Sequence, residues 1–366
     1  MLLVGGGTGG HVSPLLAIAE AVRELSPEAR FLFLGGRGGL EADLVRAAGL
    51  DFHATPMPSL RDPDSGLSLV ARAVLLPPAA LDAFVRIERF RPSVCCTSGG
   101  LVALPIVVAA RIAGVPVYIW EGNVVPGRTN RLLARLSDRV GATFPGSLRL
   151  LPRGRTAVSG NPVRRSLLRW SRESGRAALG LPAGEAVAFV TGGSQGSERI
   201  NAAVAAALPR LVRRAIILHH TGAAYLGRAE AGREALPAAA RERYRPYGFL
   251  RDEMGAALAS ADVVVGRASS SSIAEPLAFG VPLVLVPFGA AADAHQSANA
   301  RAVEEAGAAI AIRESELDAD RLAAVVLGLL DDASRLARMR EAARRAGRPD
   351  AALDIGREVL RLGRCT

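Results

Sequence analysis

The chain has 366 residues, which predicts about two domains, and 49% of them are hydrophobic, enough for a large buried core. Its 45 basic residues are all arginine and outnumber 35 acidic residues, which gives a net charge of +10. The absence of lysine excludes a Walker phosphate site and Schiff-base chemistry, and the positive charge favours phosphates, nucleic acid or membrane surfaces as partners. Cys95, Cys96 and Cys365 form neither a zinc pattern nor a disulfide framework, so we expect a reduced, cytoplasmic protein without a signal peptide.

Short aliphatic runs alternate with longer helical patterns along the chain, which is typical of a parallel α/β sheet. We predict strands at Leu2–Val4, Phe31–Leu34, Val94–Thr97, Val117–Trp120, Ala186–Thr191, Ala215–His219, Val263–Val265 and Leu283–Val286. We predict helices at Ser13–Leu25, Leu101–Ala113, Asn201–Val212, Ile273–Phe279, His295–Ala306, Asp318–Leu330 and Asp350–Leu360.

Each half of the chain opens with a strand that continues directly into glycines, LLVGGGTGGH first and AFVTGGSQGS later. Two such openings predict two doubly wound domains in tandem. The segment Arg153–Pro162, rich in Arg, Gly and Pro, is the predicted linker. We therefore assign residues 1–158 and a returning helix in 349–366 to the N-terminal domain, and 159–348 to the C-terminal domain.

The first glycine turn satisfies GxGxxG through Gly5, Gly7 and Gly10, where a backbone can approach an anionic ligand closely. An NAD enzyme would need an acidic residue at the end of the second strand, and Arg37 stands there instead, which leaves an NADP-dependent oxidoreductase open. His11 follows the glycines and is either a structural histidine or a general base, since its ordinary pKa is about 6.5.

Polar side chains follow several predicted strands, at the edge where a doubly wound sheet binds its ligands. Ser194 and Gln195 lie in the second glycine turn, which is either a plain turn or a phosphate site. Four serines, Ser269 to Ser272, exceed what a helix N-cap requires and favour a pyrophosphate cradle. Glu275, about one turn inside that helix, would be a costly buried charge without a partner such as a ribose diol.

Further polar groups occupy comparable positions. His295 and Gln296 open the helix that follows the last predicted strand, where an amide side chain suits sugar hydroxyls because it both donates and accepts. Glu121 and Asn123 come directly after the fourth predicted strand, and Arg164 lies just beyond the predicted linker. Each of these is either part of a solvated loop or a ligand contact.

Seven segments occur together in one order from residue 5 to about residue 300: GGGTGGHVSP, WEGNVVPGRTN, GNPVR, VTGGSQGS, GFLRDEM, RASSSSIAE and AADAHQSANA. As a set they resemble the MurG family, the N-acetylglucosaminyltransferases of peptidoglycan synthesis. The resemblance implies the α/β fold called GT-B, two tandem Rossmann-like domains that face each other across a cleft. It also implies inverting transfer of N-acetylglucosamine from UDP-N-acetylglucosamine to the 4-hydroxyl of a polyprenyl-diphosphate-linked muramyl-peptide.

The resemblance assigns a role to each candidate residue. His11 matches the family histidine proposed as the base, and Glu121 is a second candidate for that role. The acceptor would lie against Thr8, Gly9 and Gly10, and the donor against Asn123, Arg164, Ser194, Gln195, the backbone of Leu250, Ser270, Ser271, Ser272, Glu275, His295 and Gln296. Ser269 stands where the family usually has glycine.

No Asp-x-Asp motif stands where it could hold a metal on the diphosphate, so helix N-termini and arginines must supply the positive charge. We therefore expect no metal and no cofactor, and turnover that survives chelators. A UDP-sugar 2-epimerase of the same fold stays open as an alternative. An NADP-dependent oxidoreductase leaves the serine run unexplained, and a nucleic-acid binder explains only the charge, because aromatic residues are few.

An apolar segment broken by Pro77 and Pro78 is too short and too interrupted to span a membrane. It contains Leu69, Val70, Val74, Leu75, Leu76, Leu81, Phe84, Val85 and Ile87. Residues 128–172 hold eleven arginines and one acid, Asp138. The apolar segment is either ordinary core or, as the resemblance implies, a patch that docks on the cytoplasmic face of an anionic membrane.

Overall fold

The computed structural model describes residues 1–6, 9–38, 41–58, 74–289 and 294–364. The chain divides into two compact units. The N-terminal unit is Met1–Arg165 with Asp350–Thr366, and the C-terminal unit is Ser166–Pro349. The limits placed from the sequence, after residues 158 and 348, fall slightly earlier in the chain and stay a prediction of the domain boundaries.

In its described part, the N-terminal unit contains a sheet of seven parallel strands in the order β3-β2-β1-β4-β5-β6-β7. These are β1 (Leu2–Val4), β2 (Leu32–Arg37), β3 (Asp51–Pro58), β4 (Cys95–Thr97), β5 (Val117–Glu121), β6 (Arg139–Ala142) and β7 (Thr156–Val158). The strand order reverses between β1 and β4, which pair in parallel. The carboxyl ends of those two strands are therefore where a doubly wound sheet binds its ligand.

Helices cover both faces of this sheet. They are α1 (Gly9–Leu25), α2 (Glu41–Ala47), α3 (Leu76–Phe90), α4 (Ala103–Ile112) and α5 (Arg128–Leu136), with a 3-10 turn at Pro145–Leu150. Side chains alternate along a strand, so Leu2 and Val4 of β1 pack with α3, α4 and α5, whereas Leu3 packs with α1 on the other face.

The C-terminal unit contains, among its described residues, a sheet of six parallel strands in the order β10-β9-β8-β11-β12-β13. These are β8 (Ala186–Thr191), β9 (Ala215–His220), β10 (Tyr244–Tyr247), β11 (Val263–Gly266), β12 (Leu283–Leu285) and β13 (Ala309–Ala311). The order reverses between β8 and β11, so the second glycine turn and the serine run both follow strands at this switch point.

The remaining helices follow in chain order. They are α6 (Arg165–Leu168), α7 (Arg172–Ala178), α8 (Glu198–Leu211), α9 (Leu226–Glu234), α10 (Ala238–Arg241), α11 (Glu253–Ser260), α12 (Ser270–Ala278), α13 (Ala294–Glu305), α14 (Ala319–Asp331), α15 (Ala333–Ala346) and α16 (Ala351–Arg364), with 3-10 turns at Ala223–Tyr225 and Glu314–Glu316. The last helix, α16, packs on α1, so the chain returns to the N-terminal unit.

The linker predicted at Arg153–Pro162 is wrong in its middle. Residues Thr156–Val158 form β7, which pairs in parallel with β6 at the edge of the first sheet. This strand was missed because three residues are too few to show the alternation of apolar and polar side chains that marks a strand, and Pro, Arg and Gly flank them.

The apolar segment predicted before and within α3 is partly core and partly surface. Leu69 and Val70 lie outside the described residues, Ile87 is buried, and Leu75, Leu76 and Phe84 pack against the core. Val74 and Leu81 are 69% and 65% exposed, and Val85 is exposed too. In the part of the chain that the structure describes, no helix is long and apolar enough to cross a membrane.

Candidate functional site

The first glycine turn connects β1 to α1 at the switch point of the N-terminal sheet. A Cβ added to Gly5 would lie 2.8 Å from Leu15 Cδ1 and 2.9 Å from Ser98 Oγ, so only glycine fits without displacing neighbours. Gly9 and Gly10 are the first residues of α1, and the N-terminus of a helix attracts anions. Thr8, predicted to contact the acceptor, lies outside the described residues.

His11 lies in the first turn of α1, where its ring is held by the loop after β4. Its Nδ1 is 3.1 Å from the carbonyl oxygen of Ser98. Because a carbonyl can only accept, Nδ1 carries the proton and the neutral ring has its lone pair on Nε2. Burial lowers the pKa of His11, although the hydrogen bond to Ser98 opposes this, so the ring is neutral at pH 7 and Nε2 can accept a proton.

Glu121 is the last residue of β5 and is only 2% exposed. Its Oε1 accepts hydrogen bonds from the backbone N–H of Asn123 at 2.8 Å and from Asn123 Nδ2 at 3.2 Å. Its Oε2 accepts from Nδ2 of Asn130 at 2.8 Å. The structure thus brings the predicted residues Glu121 and Asn123 into direct contact, and the carboxylate is engaged by neighbouring amides.

The second glycine turn lies between β8 and α8. Thr191 Oγ1 accepts a hydrogen bond from the N–H of Gly193 at 3.1 Å, and the N–H of Gly196 bonds to the carbonyl of Gly193. Gly193 and Gly196 have φ values of +86° and +76°, which glycine adopts without strain. Ser194 and Gln195 are exposed at the tip of this turn, as a contact to a ligand phosphate would require.

The serine run forms the start of α12. Ser269 is the N-cap, and its Oγ accepts a hydrogen bond from the N–H of Ser272 at 3.3 Å. Ser269, which stands where the resemblance predicts glycine, thus satisfies a helix N–H that would otherwise lack a partner. Ser270 to Ser272 form the first turn of the helix, and Glu275 is half-buried in the next.

Arg267 is a residue that the sequence analysis did not single out. Its Nη2 donates to Oγ of Ser197, the N-cap of α8, at 2.7 Å and lies 2.6 Å from Oε1 of Glu314. Burial alone would raise the pKa of Glu314, but hydrogen bonds from the Gly289 N–H and from Arg267 hold it below its ordinary value. Arg267 therefore joins the second glycine turn to the segment after β13. Its position directly before the serine run is the feature of the sequence that could have marked Arg267 as a candidate site residue.

Gln296 makes hydrogen bonds to two loops through its amide oxygen. Its Oε1 accepts hydrogen bonds from the backbone N–H groups of Ala268 and Phe288, at 3.2 and 3.1 Å. The amide oxygen thus ties together the loops after β11 and β12. His295 is half-buried beside it, and its Nδ1 has no hydrogen-bond partner among the described residues.

Leu250 follows β10 and is buried, beside Phe249, which is exposed. The Phe249 ring lies 6.0 Å from the ring of His220, and Nδ1 of His220 lies 3.2 Å from Thr191 Oγ1. Thr191 at the end of β8, His220 at the end of β9 and Phe249 just after β10 therefore form one connected group. Arg164, in the N-terminal unit, is exposed between β7 and α6.

Within the C-terminal unit, most residues predicted to bind the donor substrate therefore lie at the carboxyl ends of the strands. Within the N-terminal unit the structure gathers His11, Glu121 and Asn123 at the ends of β1, β4 and β5. In the described ranges, no three His, Cys, Asp or Glu side chains cluster as metal ligands.

Family models for the N-terminal and C-terminal domains of glycosyltransferase family 28 match residues 1–142 and 187–355. The UDP-N-acetylglucosamine--N-acetylmuramyl-(pentapeptide) pyrophosphoryl-undecaprenol N-acetylglucosamine transferase of Salinibacter ruber is 40% identical to this chain. That match covers 99% of this chain and 96% of the relative. The chain belongs to this family of N-acetylglucosamine transferases.

Solved structures agree with that membership. The crystal structure of Acinetobacter baumannii MurG superposes with a TM-score of 0.78 at 26% identity, over 98% of this chain and 99% of that one. The UDP-GlcNAc 2-epimerase of Neisseria meningitidis superposes with a TM-score of 0.67 at 13% identity, over 98% of this chain and 99% of that one, a likeness of fold alone. The family fold is GT-B, and the prediction of two Rossmann-like domains is confirmed.

Proposed function

We propose that the protein transfers N-acetylglucosamine from UDP-N-acetylglucosamine to the 4-hydroxyl of the muramyl sugar in undecaprenyl-diphosphoryl-MurNAc-pentapeptide. The observation that carries this proposal is family membership along the whole chain, including both glycine turns. The contacts of the described residues support the roles of individual side chains. The reaction would add the second sugar to the lipid-linked precursor of peptidoglycan.

The C-terminal unit is proposed to bind the donor. The first turn of α12 offers serine hydroxyls and a helix N-terminus to the diphosphate, and Ser194 offers a further hydroxyl from the second glycine turn. Glu275 would accept hydrogen bonds from the ribose hydroxyls, and the backbone at Leu250 would read the uracil. The amide nitrogen of Gln296, with His295, would contact the sugar, and Arg164 would reach the donor from the N-terminal unit.

His11 is the proposed general base. Its Nε2 would take the proton of the acceptor 4-hydroxyl as that oxygen attacks the anomeric carbon of the donor sugar. The bond from that carbon to the UDP oxygen breaks on the opposite side, so the configuration inverts and UDP leaves with the electron pair. The hydrogen bond from Nδ1 to Ser98 supports this role, because it places the lone pair on Nε2.

The deciding experiment measures UDP release from UDP-N-acetylglucosamine with and without a polyprenyl-diphosphoryl muramyl-pentapeptide. The proposal expects release that depends on the acceptor and a product that carries both sugars. A UDP-sugar 2-epimerase would instead form UDP-N-acetylmannosamine without any acceptor, and that outcome would replace the proposal.

The protein is further proposed to work on the cytoplasmic face of the membrane, docked on anionic lipid through the N-terminal unit. Three neighbouring helices on one face of its sheet support this. Val74, Leu81 and Val85 are exposed on or beside α3, and Val108 and Ile112 are exposed on α4. The next helix, α5, carries exposed arginines at 128, 131 and 135. Apolar side chains beside arginines suit a lipid surface with negative headgroups.

A further inference from the structure

A continuous chain of hydrogen bonds joins the end of β5 to the imidazole of His11. We propose that Glu121 is a positioning residue, not the base, and that it acts through Asn130 and Ser98 to hold the ring of His11 in its proton-accepting form. The inference rests on the proposed function, in which His11 takes the acceptor proton. It assigns a role to Asn130 and Ser98, which the sequence analysis did not single out.

The surroundings of Glu121 argue against a base. The side chain is 2% exposed, Oε1 accepts hydrogen bonds from Asn123, and Oε2 accepts one from Asn130. A general base must reach the proton it removes with an accessible lone pair. A carboxylate that is buried and directed at amide donors instead orders the backbone around it, here the turn at Asn123 and helix α5.

Asn130 connects this carboxylate to the loop after β4. Its Nδ2 donates to Glu121 Oε2 at 2.8 Å and to the carbonyl of Ser98 at 3.3 Å, while its Oδ1 accepts from the N–H of Gly100 at 3.0 Å. Asn130 is 7% exposed, and a Cβ added to Gly99 would lie 1.9 Å from its Oδ1. An amide suits this position, because its nitrogen supplies both donations and its oxygen accepts the third hydrogen bond.

Ser98 makes the last link. It is buried at the end of β4, its carbonyl receives both Asn130 Nδ2 and His11 Nδ1, and its Oγ donates to the carbonyl of His11 at 2.7 Å. Two hydrogen bonds between the same pair of residues fix the ring and the start of α1 together. The position of the Ser98 carbonyl therefore decides which nitrogen of His11 carries the proton.

Glu121→Gln and Asn130→Asp test the chain in complementary ways. Glu121→Gln keeps the shape but replaces one oxygen with a donor, so the bond from Asn130 is lost. Asn130→Asp keeps an oxygen that accepts from the N–H of Gly100, but it removes the hydrogen bonds to Glu121 and to the carbonyl of Ser98. It also places a second carboxylate next to Glu121. We expect each to lower kcat by about tenfold, whereas removal of a general base costs roughly a hundredfold to ten-thousandfold. The KM for UDP-N-acetylglucosamine should stay unchanged in Asn130→Asp, because that variant keeps the hydrogen bonds between Glu121 and Asn123, a predicted donor contact.

The readout specific to positioning is the tautomer of His11. Nitrogen-15 NMR of the five histidines, assigned by the signal missing in His11→Gln, should show His11 protonated on Nδ1 in the wild type. Both variants should shift it toward a mixture of tautomers. The acidic limb of the pH profile of kcat/KM should remain in Glu121→Gln and vanish in His11→Gln, since His11 alone titrates as the base.

Two results would overturn the inference. One is a Glu121→Gln enzyme as inactive as His11→Gln with the His11 tautomer unchanged, which would make Glu121 the base. The other is a folded Asn130→Asp protein with wild-type tautomer and kcat. Fluorescence emission of Trp120, in the N-terminal unit, checks that each variant is folded. If Asn130→Asp does not fold, the tautomer and kcat of Glu121→Gln decide the inference. A wild type without transfer would refute the proposed function, while the NMR comparison would still test the chain of bonds.

Discussion

The carboxylate of Glu275 lies half-buried in α12, after the serines of the first turn. If it binds the ribose hydroxyls, Glu275→Ala should weaken UDP binding by about tenfold to a hundredfold, because a hydrogen bond to a charged group contributes roughly 1.5–3 kcal/mol. Calorimetric titration with UDP measures this, and Glu305→Ala, an exposed position on α13, is the control. An unchanged dissociation constant in Glu275→Ala would exclude the ribose contact.

His219 in β9 is a second residue with a measurable consequence. It is 1% exposed, its Nε2 donates to Asn201 Oδ1, and its Nδ1 accepts from the hydroxyl of Tyr244. Burial, with a smaller effect of His220, lowers the pKa of His219 to about 3. The unfolded chain binds a proton below its ordinary pKa of 6.5 and the folded chain does not, so stability is complete above pH 6.5 and falls as the pH drops toward 3.

The expected loss from His219 alone is about 2 kcal/mol of unfolding free energy between pH 7 and pH 5. Urea unfolding followed by emission of Trp170, in a Trp120→Phe background, reports the C-terminal unit. His219→Gln should lower stability at pH 7 but flatten its dependence on pH. Equal pH slopes in the two proteins would show that His219 does not titrate on unfolding.

Single residues also show what the sequence could and could not predict. His11 and the serine run could be identified as candidate site residues because each follows a strand that its apolar run makes easy to predict. The network of Glu121, Asn130 and Ser98 could not be predicted from the sequence. Its members come from β5, α5 and the loop after β4, and only the fold brings them together. The role of Gln296 as a tie between two loops depends on contacts of its amide oxygen, which residue type alone cannot specify.

At the scale of elements, the central strands were predictable, whereas the strands at the edges and β6, next to an edge, were not. β1 and β8 were predicted with their observed bounds, because both are buried runs of aliphatic residues. β3, β6, β7, β10 and β13 were missed. β10 reads Tyr-Arg-Pro-Tyr, and β6 begins with an exposed arginine, so neither shows the apolar run of a buried strand.

Helix α3 and its neighbour α4 carry the prediction about the membrane. Leu75 packs partly on the core, so its replacement would also disturb folding, whereas Leu81 is mostly exposed. Leu81→Glu should therefore weaken binding to anionic vesicles without lowering stability. Leu44→Glu, at an exposed leucine of α2, is the matched control.

Vesicle sedimentation over a range of salt measures both parts of this contact. Arginines near an anionic surface contribute about 1 kcal/mol each and are screened by salt, so binding should require anionic lipid and fall as salt rises. Equal binding to neutral vesicles would exclude the electrostatic part. Binding by Leu81→Glu equal to that of the control would exclude the apolar part.

At the scale of the whole molecule, the two units have separate cores, and the proposed contacts to uracil, ribose and diphosphate lie in the C-terminal unit. Trp120 lies in β5 of the N-terminal unit and Trp170 lies between α6 and α7 of the C-terminal unit, so each unit has its own fluorescent reporter. A ligand that binds only the folded form of one unit stabilises that unit, by about 2.7 kcal/mol at a concentration a hundred times its dissociation constant.

We therefore expect UDP to raise the unfolding midpoint reported by Trp170 and to leave the midpoint reported by Trp120 nearly unchanged. Thermal unfolding of Trp120→Phe and Trp170→Phe proteins, each with and without UDP, gives the two midpoints separately. In Glu275→Ala the shift at Trp170 should shrink, since the lost ribose contact belongs to the C-terminal unit. A shift confined to Trp120 would place the nucleotide in the N-terminal unit and contradict the proposed nucleotide contacts of the C-terminal unit. Equal shifts at both reporters would mean that the units unfold together.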